Sequence, residues 1–286
     1  MNPETRSFYH QRTYTWTHVV WDPATRQAVI IDPVLDYDPA SGRTSRDSAR
    51  KLLDFIDENR LDVSLILETH AHADHLTAAA WLKDKLSCPV AIGQGICRVQ
   101  ATFRDVFNLV DSLTPDGSQF ERLLDDGEVI PLGEMQIRVV ATPGHTDDSV
   151  TYVVGNSAFV GDTMFMPALG TGRCDFPGGD ASRLYDSIQK ILDLGEEVTL
   201  YLCHDYPADG KAPTNRVTVA EQRTGNIHLK DSVGKDEFVK IRTARDAQLS
   251  MPALILPSIQ VNIRAGELPA AEDNGTSYLK VPLDAF

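Results

Sequence analysis

The 286 residues carry 41 acidic against 27 basic side chains, a formal net charge of −14, which argues against a nucleic-acid partner because such binding draws on a basic surface. At 42% apolar the chain can build a sizeable core, yet no run approaches the roughly 18 apolar residues of a membrane span, and no membrane partner is expected. The opening MNPETRSFYHQRTYTW lacks the apolar centre of a signal peptide, so a cytoplasmic protein is expected, and the scattered cysteines Cys88, Cys97, Cys174 and Cys203 are expected as free thiols.

Along the chain, short runs rich in valine and isoleucine predict strands at 27–31, 63–67, 136–141, 149–154, 158–160 and 198–202. Between them lie stretches of helical period. Residues 45–59 place Leu52, Leu53, Phe55 and Ile56 near one face, and 180–194 repeat the pattern with Leu184, Ile188, Ile191 and Leu192. Each predicts a helix covering a sheet. Residues 76–86, with three consecutive alanines, predict another helix. After Asp205 the regularity fades: Pro207, Gly210 and Pro213 predict a loop, 235–248 a helix, and the remainder a proline-punctuated tail. The class is α+β. A catalytic core over 1–207 is expected, with 208–286 completing the same domain as a substrate loop, helix and tail.

Three of the eight histidines fall in THAHADH at 69–75, in the turn between a predicted strand and a predicted helix. Such a turn is held by a rigid strand end and is a common place for chemistry. His145 in TPGHTDDS and His204 in YLCHDYP each follow another predicted strand. A lone histidine there is more often structural. A cluster with outlying partners points instead to metal, since neutral imidazole and carboxylate suit zinc or iron. Asp162 ends the strand-like AFVGDT, where a buried carboxylate without a partner would be costly. Beside His70 and His145 it reads as a ligand.

THAHADH, followed in order by PGHT, GDT and CHDY, resembles the metallo-β-lactamase superfamily over roughly residues 15–207. The resemblance implies a four-layer αββα sandwich with the metal site along one edge of two sheets. IDPVLDYDPASGRT, GTGRCDFPGGD and the tail PSIQVNIRAGELPAAEDNGTSYLKVPL look like one branch, the persulfide dioxygenases, and extend the likeness over nearly the whole chain. In that branch one ferrous iron per chain is held by two histidines and an aspartate, matching His70, His145 and Asp162. His72, Asp74, His75 and His204 would then orient ligands and water through hydrogen bonds. In a two-metal hydrolase of the superfamily the same four would be ligands, and counting ligands does not separate the cases.

The dioxygenase reading implies glutathione persulfide and O2 as partners, with sulfite and glutathione as products. Tyr206 and Asp74 are its candidate catalytic side chains, the tyrosine offering a hydroxyl. Arg173 in GTGRCDF, Tyr206, Lys211 and Arg216 are candidates for holding the substrate, because a guanidinium fork fits a carboxylate. Cys174 reads as structural. Members of the family often form homodimers. The rival enzyme reading is a glyoxalase II-type thioesterase with zinc or mixed metals. A rival of another class is a sulfide- or redox-sensing module that uses the fold to bind metal.

Overall fold

The computed structural model describes residues 2–207, 210–229 and 233–284. Its first half begins with β1 (Glu4–His10), β2 (Thr15–Trp21) and β3 (Gln27–Ile31), and the short hairpin β4 (Val34–Asp38) and β5 (Arg43–Ser45) follows. Then come α1 (Asp47–Asn59), β6 (Asp62–Leu67), β7 (Leu76–Thr77), α2 (Ala79–Leu86), β8 (Val90–Gly93), α3 (Ile96–Val106) and β9 (Arg122–Leu124). The second half holds β10 (Val129–Leu132), β11 (Met135–Ala141), β12 (Val150–Val154), β13 (Ser157–Phe159), α4 (Ala181–Leu192), β14 (Thr199–Tyr201) and β15 (Arg216–Thr218), then α5 (Val219–Gly225), α6 (Lys235–Asp246) and α7 (Ile255–Asn262).

Each half forms one six-stranded sheet, in the orders β1-β2-β3-β6-β8-β9 and β10-β11-β12-β13-β14-β15. Their inner faces meet through Val29, Ile31, Leu65 and Leu67 on one side and Ile137, Val139, Tyr152 and Phe159 on the other. Outside the first sheet, Leu52 and Ile56 of α1, Leu82 of α2 and Phe103 of α3 join the core built on Ile30, Ile66 and Ile92. Outside the second, Leu184, Ile188 and Ile191 of α4 and Phe238 of α6 join Val153, Ala158 and Leu200. The layers therefore run helix, sheet, sheet, helix. Strands covered on both faces read as continuous apolar runs, which is why β3 and β12 were legible as strands. Each such side chain taken out of water contributes roughly 1.5–3 kcal/mol as an upper value.

Two expected elements differ. Residues 76–86 are not one helix: Leu76 and Thr77 pair with β4, and the helix starts at Ala79. The Thr77 hydroxyl bonds Glu68 and its amide bonds Asn262, partners that a helix start at Leu76 would not leave in place. The tail also holds a helix, α7, with Pro257 in its first turn. There the missing amide hydrogen costs nothing, because the first amides of a helix have no partner within it. The start of α4 follows the expected logic, with Asp180 accepting from the amides of Ser182 and Arg183 at 2.7 and 3.0 Å. Among the described residues no helix is long and apolar enough to cross a membrane.

His18 ties the two sheets together. Its Nε2 donates to the Leu202 carbonyl at 3.1 Å, so Nδ1 accepts from the Ser7 hydroxyl at 2.8 Å. Burial lowers its pKa from 6.5 to about 4, and the Asp32 carboxylate and the Leu202 carbonyl offset only part of that. The unfolded chain therefore takes up this proton before the folded one does. Stability from neutral His18 is complete above its unfolded pKa and is lost as pH falls toward about 4, by about 3 kcal/mol in all. Unfolding curves from pH 7 to 4.5 should show that decline, and His18→Gln should remove this component; an identical slope in the variant would assign the decline elsewhere.

Candidate metal centre

The candidate ligands sit at the ends of strands along one edge of both sheets. His70 follows β6, His145 follows β11, Asp162 follows β13 within a short 3-10 turn, and His204 follows β14. Gly144 has φ +141°, and a Cβ there would strike the Leu184 backbone, so the PGHT turn lies flat against α4 and aims His145 inward.

Hydrogen bonds fix which nitrogen of each ring faces the centre. His145 Nδ1 donates to the Arg173 carbonyl at 2.7 Å. The Thr69 hydroxyl donates to Asp32 Oδ2 at 2.8 Å, leaving its oxygen to accept from His70 Nδ1 at 3.1 Å. His204 Nδ1 donates to the Tyr14 carbonyl at 3.2 Å. Each ring then turns an Nε2 lone pair inward, the orientation that outer partners impose on metal-binding histidines. His70 Nε2 and His145 Nε2 lie 4.0 and 3.7 Å from Asp162 Oδ2. Beside them, His204 Nε2 lies 3.0 Å from Asp74 Oδ2 and 3.3 Å from Asp162 Oδ1, and Asp74 Oδ1 meets His75 Nδ1 at 3.2 Å.

Two neighbouring donor sets result, His70, His145 and Asp162, and His72, Asp74, His75 and His204, with donor atoms close enough in each to share an ion, and Asp162 and His204 link the two. Among the described residues, the buried Asp162 Oδ1, His75 Nε2 and His204 Nε2 have no hydrogen-bond partner. Leaving such atoms unpaired costs about 1–3 kcal/mol each, a cost a bound cation removes. These residues therefore fit a metal.

The electrostatics agree. Burial, then the neighbouring imidazoles of His72 and His145, keeps His70 well below its ordinary pKa and neutral, as a ligand must be. Burial and His72 lower His75 to about 4, against the pull of Asp74. For His204, burial acts against the charged form, but Asp162 and Asp74 outweigh it and raise the pKa well above 6.5. That excess negative charge is what a cation at Nε2 would meet in place of a proton.

His72 stands apart. Its Nε2 lies 3.0 Å from Asp32 Oδ1 and 3.6 Å from Glu68 Oε2, within ion-pair distance but not aligned for a hydrogen bond. Burial opposes its protonation, yet Asp32 outweighs burial and raises its pKa well above 6.5. Sequence reasoning did not single out Asp32, Glu68 or Asn262, whose amide donates to the His72 and His75 carbonyls at 2.8 and 2.7 Å. Asp32 closes the apolar run AVIID, the same signal that singled out Asp162.

A cavity of about 480 Å³ opens over the centre, lined in part by Asp74, His145, Asp162, Phe165, Arg173 and Tyr206. Tyr206 stacks on His204 with ring centroids 6.0 Å apart and stands 5.3 Å from Tyr14. Lys211 is exposed and Arg216 lies exposed on β15; neither lines the cavity, so the structure does not bring these two candidates to the site. Arg173 does reach it, but its fork is engaged by Asp175, at 2.6 Å through both Nε and Nη2. Cys174 is buried, and burial pushes its thiol far up, which suits a structural role and not a nucleophile.

The sequence profile of the Metallo-beta-lactamase superfamily matches residues 11–204. Glyoxylase B2 of Dictyostelium discoideum is 53% identical over 93% of this chain and 92% of its own length. The human mitochondrial persulfide dioxygenase ETHE1 is 30% identical over 91% and 88% respectively. The crystal structure of ETHE1 from Myxococcus xanthus superposes with a TM-score of 0.74 at 29% identity, covering 92% of this chain and all of that one.

Proposed function

Because this chain belongs to the metallo-beta-lactamase superfamily, we propose that it is an iron-dependent persulfide dioxygenase, converting glutathione persulfide, O2 and water to glutathione and sulfite. The observation that carries this reading is the donor set His70, His145 and Asp162 at the cavity, two histidines and one carboxylate, the face that leaves positions open for two reactants at non-haem iron. Likeness over nine tenths of the chain to a protein named as a persulfide dioxygenase supports it.

When bound, ferrous iron supplies the redox chemistry that passes both atoms of dioxygen to the outer sulfur. The chain's own contribution is positioning. His70 and His145 are fixed by Thr69 and the Arg173 carbonyl, and the Tyr206 ring forms one wall over His204. Water must supply the third oxygen of sulfite. Asp74, held well below its ordinary pKa by His204 and His75 against burial, is an ionised acceptor for the proton that water releases.

A second reading, a glyoxalase II-type thioesterase with two metals, is favoured by the unpaired Nε2 atoms of His75 and His204 and by the relative named glyoxylase. Oxygen uptake by anaerobically purified, iron-loaded protein on adding glutathione persulfide, with sulfite assayed in the same sample, tests the proposal. Matched uptake and sulfite are expected. No uptake, together with hydrolysis of S-lactoylglutathione by a zinc-loaded sample, would establish the thioesterase instead.

A further inference from the structure

Four arginines reach the cavity over the metal centre, and two are already engaged by the protein. Beyond its fork on Asp175, Arg173 donates through Nη1 to the Ser250 carbonyl at 2.8 Å. Its guanidinium also lies over the Phe176 ring, 4.8 Å from the centroid. Arg242 is buried, with Nε and Nη2 on Asp246 Oδ1 at 2.9 and 2.7 Å and Nη1 on the Thr171 carbonyl at 3.1 Å. In each, three of the five guanidinium donors already have protein partners, so less of the fork is left for a ligand carboxylate.

The other two are Arg12, in the turn between β1 and β2, and Arg245, in the last turn of α6. Both are exposed and line the same cavity, and neither guanidinium makes a hydrogen bond or an ion pair among the described residues. In a chain of net charge −14, exposed guanidinium groups that form no ion pair among the described residues and line a cavity make a local positive site in an otherwise acidic field, although Arg12 also acts on the Asp38 carboxylate from a distance. The neighbouring His228 records that field: burial first, then Arg242 and Arg245, lowers its pKa to about 4. The same cavity is lined by the aromatic rings of Tyr14, Phe165 and Tyr206 and by the metal donors His145 and Asp162. The volume, about 480 Å³, falls within the range of roughly 300–1,000 Å³ typical of small-molecule sites. Such a cavity suits a ligand with anionic ends and an uncharged, flexible middle.

Resting on the persulfide reading above, we propose that Arg12 and Arg245 bind the two carboxylates of the thiol carrier and so select a low-molecular-weight thiol with two carboxylates. Each guanidinium can meet a carboxylate oxygen through charge-assisted hydrogen bonds, with no protein partner to displace. A thiol with one carboxylate or none would leave one or both cations unused.

Calorimetric binding of S-methylglutathione, an unreactive analogue, to the iron-loaded protein tests the assignment. Arg12→Gln and Arg245→Gln should each raise Kd about tenfold, and the double variant about a hundredfold, with iron content unchanged. Lys51→Gln, on α1 away from the cavity, should bind as the wild type does. The dimethyl ester of the same analogue should bind the wild type about a hundredfold more weakly and respond to neither substitution. If the wild type binds S-methylglutathione and both single variants bind it equally well, the arginine assignment is overturned while the dioxygenase reading stands. If the wild type binds neither ligand and consumes no oxygen with glutathione persulfide, the premise fails and takes the assignment with it.

Discussion

Replacing His70 with alanine is expected to abolish iron binding and turnover while leaving the fold in place. His70 is almost wholly buried, and its Nε2 is one of three donors converging under the cavity. Losing even an outer partner of a metal ligand costs about 10–100-fold in affinity, so removing the ligand itself should cost more than about 100-fold. The surrounding turn does not depend on this ring. Asp32 holds the Thr69 amide at 2.7 Å, Asp148 holds the Ala71 amide at 2.7 Å, and Asn262 holds the carbonyls of His72 and His75. The variant should therefore keep its circular dichroism spectrum and lose no more than about 1–3 kcal/mol of stability, the usual span for one substitution. Metal analysis after iron loading and desalting checks the first part; full iron with full turnover would remove His70 from the ligand set.

The metal donors were legible because each lies where an apolar strand ends in a polar, metal-affine residue, and that signal is local. The partners of His72 were not, since Asp32 reaches it only through the parallel pairing of β3 with β6, which brings residues 32 and 72 together across forty positions. Which cations line the cavity was hidden for a similar reason. Lys211 and Arg216 follow His204 closely in sequence, but β15 returns along the sheet edge and carries Arg216 away. Arg12 and Arg245 belong to no motif, and only the folded chain sets them around one cavity. The helix α7 was hidden by Pro257, because a proline in a first turn and a proline in a loop look alike until the cap is seen.

Gly172→Ala should damage the metal centre without touching a ligand side chain. A Cβ on Gly172 would collide with the Asp162 carbonyl oxygen and come within 3.4 Å of the His145 Cβ. The obstruction on the Asp162 side is backbone, which cannot rotate aside as a side chain can. The 3-10 turn at Gly161–Thr163 aims the Asp162 carboxylate, while the Arg173 carbonyl, one residue beyond the glycine, orients His145. Pushing the two segments apart thus moves two of the three donors at once. Overpacking of this kind costs about 1–3 kcal/mol and occasionally more, and a backbone clash belongs at the upper end. Iron affinity should fall at least tenfold or so, since disturbing the orientation of ligands alone costs about 10–100-fold. Chemical unfolding with parallel metal analysis gives both numbers. Wild-type iron content with a lowered unfolding midpoint would mean that the 170–173 segment yields and Asp162 stays in place, making the glycine a requirement of the fold and not of the metal.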